Sequence, residues 1–443
     1  MVFNTVMKGI HNMKFIVNIE KEKYEEFVKG NPKSHFLQSY AWGEFALTSK
    51  RLKPHYVGVI NDDGKIIATA LLLEKKLPLG YSYFYSPRGY VIDYYDVTTL
   101  TFFTDEIKKY TKKYKSIFTK IDPDIIWSIK DNNNNEKSLP YDTKRIFNNI
   151  KNLGFKHKGF TKNFETMQPR YTFRIDMGNQ SIDEIESKFS KTTKQRIKKA
   201  NSLDVKVRIG DINDVEKFNE LMIITENRKN FLSYDLNYYK NLYKIYNKDN
   251  KFLLFMGSVN PKEILEKYKN SVEKLSSELN SLPEQGLSKT QSTRKKELLR
   301  EKENAEKAIL EYDQYKDKDE IVLNAHAIII YNDKAWVLYA GNHNILTNTF
   351  SNYKTYFEHI KYCFDNGIKT YDQFGTIGDL SKNNPRLGLH EFKKKFGGDY
   401  VEFIGEFDLI TRPLMYFVFT TLVPLFRKFK REKAKKGLKN EIR

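Results

Sequence analysis

From Asn260 to Tyr315 the chain is almost wholly charged, yet apolar side chains recur at Ile264, Tyr268, Val272, Leu275, Leu279 and Leu282. Steps of four and three place them along one helix face as a heptad seam. "PEQG" (283–286) interrupts the run, and a second one carries Leu298, Leu299, Ala305, Ile309 and Tyr312. Two helical runs on either side of a Pro/Gly turn predict an antiparallel coiled-coil hairpin. A disordered charged linker is the other reading, and the regularity of the seam argues against it.

The flanking sequence has a different grammar. On the N-terminal side, strands are predicted at "KFIVNI" (14–19), "YVGVI" (56–60), "KIIATALLLE" (65–74), "YSYFYSP" (81–87) and "SIFTKID" (116–122), with helices at 21–30 and near 96–114. "DNNNNEKS" (131–138) is a low-complexity polar loop. The pattern then restarts. "YTFRIDM" (171–177), a basic helix over about 181–200, "VKVRI" (205–209), helices over about 211–247 and "KFLLFMGS" (251–258) lead into the arm. Beyond it follow "IVLNAHAIIIY" (321–331), "KAWVLYAG" (334–341), a helix near 352–366 and "KTYDQFG" (369–375). The arm is therefore an insertion in the second of two α/β (α+β) domains of similar grammar. The expected division is 13–165, then 166–259 with 318–412, with the arm at 260–317 and an apolar and basic segment at 413–443.

The 443 residues hold 76 Lys+Arg against 56 Asp+Glu, a formal charge of +20. Such a balance favours polyanionic partners, either nucleic acid or an anionic membrane surface. One cysteine, Cys363, excludes a disulfide framework, and the eight histidines have no metal-ligand spacing. The N-terminus "MVFNTVMKGIHNMKF" lacks a signal-peptide pattern and no 18-residue apolar run exists, so a cytoplasmic protein is expected. The apolar "RPLMYFVFTTLVPLF" (412–426) is too short to span a bilayer. The 17 residues after it hold nine Lys/Arg and two acids, which fits either a helix lying on an anionic membrane or one docked on the core.

"GLHEFKKKFGGDYVEFIGEFD" (388–408) reads as a short helix stopped by Gly397 and Gly398, then one strand from about Tyr400 to Asp408. Phe392 and Phe396 are four apart and enclose Lys393, Lys394 and Lys395. A second basic cluster, Lys188, Lys191, Lys194, Arg196, Lys198 and Lys199, has a helical spread suited to phosphate contacts or to a solvated face.

Several stretches in order resemble the FemABX family, which builds the interpeptide bridge of peptidoglycan from aminoacyl-tRNA. They are "HFLQSYAWGEFA" (35–46), "YSPRGYVID" (85–93), "QPRYTFRIDM" (168–177) with "KFSKTTKQRIKKA" (188–200), and "GTIGDLSKNNPRLGLHEFKKKFGGDYVEFIGEFD" (375–408). The resemblance implies two acetyltransferase-like (GNAT) domains and transfer of an amino acid to the side-chain amine of the stem peptide. The inserted hairpin is similar to that of members using lipid II; within the family glycine is the amino acid expected, with alanine or serine as alternatives. The implied partners are glycyl-tRNA, lipid II or a UDP-linked muropeptide, homologous bridge-forming transferases, and the inner membrane face, where the protein would be peripheral. No cofactor is implied: the ester is already activated, and no GxSxG motif, catalytic-cysteine signature or Gly-rich CoA pyrophosphate loop is present.

Carried over residue by residue, the resemblance gives Lys393 and Phe392 a place at the reaction centre, with Asp93 to orient the amine or accept a proton. It gives substrate binding to Tyr85, Arg88, Trp42, Gln38 and Arg228, and tRNA binding to Arg196, Lys194, Lys198 and Lys394. The chain departs from the family at Ala46, where some members have a diphosphate-binding lysine, and at Tyr234, where an arginine is usual. A tRNA- or rRNA-binding protein without catalysis, a membrane-surface scaffold and a CoA-dependent N-acyltransferase are the competing classes.

Overall fold

A computed structural model describes residues 13–229, 232–249 and 251–425. The described strands are β1 (Lys14–Val17), β2 (Leu52–Ile60), β3 (Ile66–Lys76), β4 (Ser82–Ser86), β5 (Ser116–Ile121), β6 (Ile126–Lys130), β7 (Phe155–His157), β8 (Tyr171–Asp176), β9 (Lys206–Gly210), β10 (Phe252–Val259), β11 (Ile321–Tyr331), β12 (Lys334–Asn342), β13 (Thr370–Asp372), β14 (Asp399–Phe403) and β15 (Phe407–Ile410). They form two mixed sheets, in the orders β1-β2-β3-β4-β5-β15-β7 and β6-β14-β8-β13-β12-β11-β10-β9. Each sheet has one parallel pair, β4/β5 and β12/β13. A helix spans each crossover, Val97–Lys112 in the first and Ser351–Asp365 in the second. This is the two-domain α/β architecture with an inserted arm that the sequence implied.

The two sheets exchange strands. β6, from the first half of the chain, pairs with β14 in the second sheet, while β15 lies between β5 and β7 of the first. The single strand expected over 400–408 is therefore two strands in different sheets. Gly405 makes the switch at φ +93, a backbone region that glycine enters without a Cβ clash. The expected basic helix likewise breaks in two, Ile182–Ser187 and Lys191–Ser202, the second capped by the Ser190 side chain on Thr193 N.

The predicted arm is a pair of helices, Pro261–Asn280 and Lys289–Asp313, packed against each other. At its base Ile264, Leu265, Ala308 and Tyr312 are buried together with Leu323 of β11. Further out Arg294 donates to Glu278 across the pair at 2.9 Å.

One hydrophobic core spans both halves, bringing Val28, Leu71 and Val91 together with Leu254, Ile329 and Trp336. Polar bonds cross the same seam. Ser39 Oγ lies 3.0 Å from Tyr246 Oη, and Lys334 Nζ donates to the carbonyls of Pro32 and Ser34 at 2.8 and 3.1 Å. At the centre of the seam the Phe403 ring is flanked by the guanidinium groups of Arg88 at 4.1 Å and Arg174 at 4.8 Å. Arg174 in turn reaches Asp372 at 2.7 Å and Asp124 at 3.0 Å.

Candidate functional site

The helix Leu387–Lys394 positions the residues singled out in the sequence. Phe392 packs edge-on against Tyr353 and Tyr356, with ring centroids 5.1 and 4.9 Å away, and Phe396 seals the cluster from beneath. Lys393 is only 7 % exposed. Its Nζ donates to three successive carbonyls, those of Gln373 at 2.7 Å, Phe374 at 2.8 Å and Gly375 at 2.8 Å. Gln373 Nε2 returns a bond to the Lys393 carbonyl at 3.1 Å. All three ammonium protons thus serve the loop that leaves β13. Burial pushes the Lys393 pKa down to about 7, with the Asp372 carboxylate opposing the shift.

Phe392 and Lys393 line a cavity of about 860 Å³. Its other walls come from the 374–375 loop, β12, the start of the helix Ser351–Asp365 and the end of the helix Asp214–Lys229. Arg228, Lys229, Arg386 and Lys393 line it, and among the described residues no Asp or Glu does. Aromatic rings supply much of the remaining surface, from Phe164, Tyr339, Phe350, Tyr353, Tyr356 and Phe374. The helix Ser351–Asp365 opens onto the cavity, and its N-cap residue Phe350, left-handed at φ +54, has no acceptor in its side chain. Its N-terminal end adds partial positive charge, with the Ser351 amide donating to Thr349 Oγ1 at 3.4 Å. The result is an anion-attracting, aromatic-walled site.

Behind the wall runs a buried polar chain. Tyr371 Oη lies 2.7 Å from His359 Nδ1, His359 Nε2 lies 3.2 Å from His326 Nδ1, and His326 Nε2 lies 2.8 Å from Asn352 Oδ1. Burial pushes His326 down to about 4 and His359 well below its ordinary value, so both imidazoles are neutral. The chain fixes the amide of Asn352, which lines the cavity. Its members sit on β11, β13 and the helix Ser351–Asp365, and only the fold brings them together.

The remaining sequence-named residues fall into two groups. Near the cavity, Arg228 is exposed at its edge. Arg196 bonds to Tyr353 Oη and stacks on the Phe350 and Tyr353 rings at 5.1 and 4.8 Å. Lys394, Lys194 and Lys198 are not in the cavity's lining: Lys394 reaches Asn134 at 3.2 Å, Lys194 reaches the Ser187 carbonyl at 2.9 Å, and Lys198 is exposed.

The second group does not line the cavity. Asp93, expected beside Lys393, is exposed and folds back to accept from Tyr95 N at 2.9 Å, as an Asx turn does. Gln38 is buried and holds the Pro87 carbonyl at 2.6 Å and Leu71 N at 3.0 Å. Trp42 packs on Phe36 and Phe45. Tyr85 donates to Asp122 at 2.9 Å, and Arg88 gives its amide to Asp122 at 2.7 Å and its guanidinium to the Pro169 carbonyl at 2.7 Å. These bonds satisfy the polar groups of a closely packed seam. Ala46 is buried, and Tyr234 stacks on Tyr238 with centroids 3.8 Å apart.

Asp122 itself carried no signal in the sequence. Burial raises its carboxyl to about 7, with Arg88 opposing. A folded pKa above the unfolded value of about 3.9 means the folded state holds the proton more tightly. The stabilisation is complete below pH 4 and is lost as pH rises through 7. Replacing Asp122 with Asn should remove a slope of about 1.4 kcal/mol per pH unit between pH 4 and 7. Urea denaturation of both proteins across that range checks it, and parallel curves would refute the assignment.

The family model described as the FemAB family matches residues 19–423. The lipid II:glycine glycyltransferase of Staphylococcus haemolyticus (strain JCSC1435) is 30% identical over 424 residues, covering 94% of this chain and 97% of that protein. The protein of that name from Staphylococcus aureus (strain MRSA252) is 29% identical over 426 residues, with the same coverage. A crystal structure of FemX superposes with a TM-score of 0.71 at 27% identity, covering 91% of this chain and 99% of that one. The fold is that of a two-domain acyl-group transferase. The chain belongs to the FemAB family and is an aminoacyltransferase.

Proposed function

We propose that this protein transfers glycine from glycyl-tRNA to the side-chain amine of the stem peptide of lipid II, as part of interpeptide-bridge synthesis. The observation that carries the donor half is the cavity beside Phe392 and Lys393, lined among the described residues by four basic side chains, many rings and no carboxylate. Rings stack nucleobases and cations hold phosphates, so the cavity suits the 3′ end of a charged tRNA. The acceptor half rests on the names of the relatives. A lipid-anchored acceptor makes the protein peripheral at the inner membrane face.

In the reaction the neutral amine attacks the glycyl carbonyl carbon. A C–N bond forms, the ester C–O bond breaks, and the proton lost by the amine ends on the released ribose hydroxyl. The described residues lining the cavity include no carboxylate, and the substrate's own groups offer the proton a path. The cavity's contribution is orientation of the ester and a positive field on the developing oxyanion. Lys393 contributes by holding the 373–375 wall and through its charge.

The test mixes purified protein with lipid II in detergent and tRNA charged separately with radiolabelled glycine, alanine or serine. Label should reach lipid II from glycyl-tRNA, and Phe392→Ala should slow it at least tenfold. Transfer from alanyl- or seryl-tRNA instead would change the donor. Absence of transfer from all three, to the lysine and the diaminopimelate forms alike, would remove the proposal.

A further inference from the structure

Away from the cavity, one corner of the first sheet presents apolar side chains that none of the described residues covers. The segment Pro413–Leu425 is helical and contains no charged residue. One side of it packs down: Tyr416 is buried against Ile117 and Phe118, and Phe419 lies 5.8 Å from the Tyr83 ring. The other side leaves Leu414 75% exposed, with Phe417, Leu422 and Leu425 also exposed. Beside it the β3–β4 turn, whose Leu77 and Tyr81 pack on the same cluster, holds Leu79 out at 85% exposure.

The rim of this corner is basic. The Lys75 ammonium lies 5.8 Å from the Tyr83 ring, Arg412 5.9 Å from Tyr81 and Lys156 5.7 Å from Tyr416. Lys75, Lys156 and Arg412 have no acidic partner among the described residues, in contrast to the paired cations of the arm. The sequence continues from this corner into the 17 residues with nine Lys/Arg and two acids.

We infer that Leu79 and the outer side of Pro413–Leu425 form a foot that inserts into the interface of an anionic bilayer. Exposed leucines and phenylalanine above a tyrosine layer, ringed by unpaired cations, match the depth profile of such an interface: acyl chains, then head-group level, then anionic charge. The charge complementarity selects the bilayer over a second copy of this chain, whose matching corner would be equally positive and repelled. This rests on the lipid-anchored acceptor proposed above, but its test reads binding and not transfer.

The test is flotation of the full chain with vesicles of phosphatidylglycerol and phosphatidylcholine, against vesicles of phosphatidylcholine alone. The protein should float with the anionic vesicles. Leu79→Asp combined with Leu414→Asp should weaken that partition at least tenfold, while Leu310→Asp, at an exposed leucine of the arm, should leave it unchanged. Both sites are solvent-facing, and aspartate accepts the left-handed backbone of Leu79 (φ +61), so circular dichroism and melting should match the parent. Equal flotation of the double variant would overturn the foot and leave binding to the tail alone. Failure to float at all, or a parent dimer in light scattering that the double variant abolishes, would overturn the bilayer as the occupant. Normal flotation without glycyl transfer would sink the proposed reaction and leave the foot standing.

Discussion

Lys393→Met should abolish transfer, by a factor of about 10³ or more, while the protein still folds. Methionine keeps the length and volume of the side chain but withdraws the donor from three adjacent carbonyls. A hydrogen bond to a charged group contributes about 1.5–3 kcal/mol, and an abandoned buried carbonyl costs its desolvation as well. Part of that loss is offset, because the variant no longer buries an ammonium; a net destabilisation of about 2–4 kcal/mol follows. Activity suffers more than stability because Phe374 and Gly375 line the cavity. Moving their loop reshapes the wall against which the ester must lie, and misplacement by about 1 Å costs about 100-fold. Thermal melts and single-turnover transfer check the two halves.

The pH dependence separates this account from a freely exposed lysine. A lysine whose folded pKa lies near 7 binds its proton more weakly in the folded state than in the unfolded one. The unfolding free energy should therefore rise with pH between about 7 and 10.4, at about 1.4 kcal/mol per unit where the states differ by a full proton. The slope should be absent in Lys393→Met. Identical slopes in the two proteins would refute the cage.

The second large effect is expected at Arg174. Its guanidinium joins Asp124 from the β5–β6 connection to Asp372 at the end of β13, and lies against Phe403. Arg174 holds Asp124 well below the usual carboxylate range, against the burial that would raise it. Arg174→Met would leave two buried carboxylates without their cation, a loss of about 3–5 kcal/mol. The double variant Arg174→Met with Asp124→Asn should recover part of it, because one stranded charge is then removed. A denaturation midpoint for Arg174→Met equal to that of the parent would show that the seam does not depend on this residue.

Much of the architecture was legible because it follows from local periodicity. The arm announced itself by its seam and its "PEQG" turn, and Gly397 ends its helix where the sequence placed the stop, at φ +76. What failed was long-range. Residues 400–408 alternate like one strand, and nothing local says that 399–403 and 407–410 belong to different sheets. The site divides the same way. Resemblance singles out Phe392 and Lys393, yet the partners of Lys393 are backbone carbonyls 18 to 20 residues upstream, which no side-chain pattern encodes. Asp93 closes a family-like stretch, but the structure places it outside the cavity lining, where it accepts from Tyr95 N in a local Asx turn. His326, His359 and Asn352 gave no signal, since their spacing matches no motif and only the parallel crossover assembles them.

The exchanged strands bear on the order in which the protein can be made. A ribosome delivers β1 to β5 and β7 early, but the position between β5 and β7 belongs to Phe407–Ile410. Until that segment emerges, the first sheet has a missing rung, with two strands presenting unpaired backbone to the rest of the nascent chain. β6 waits in the same way for β14. The N-terminal half therefore cannot finish folding as it is synthesised; the two domains close together, when nearly the whole polypeptide, arm included, has already been translated.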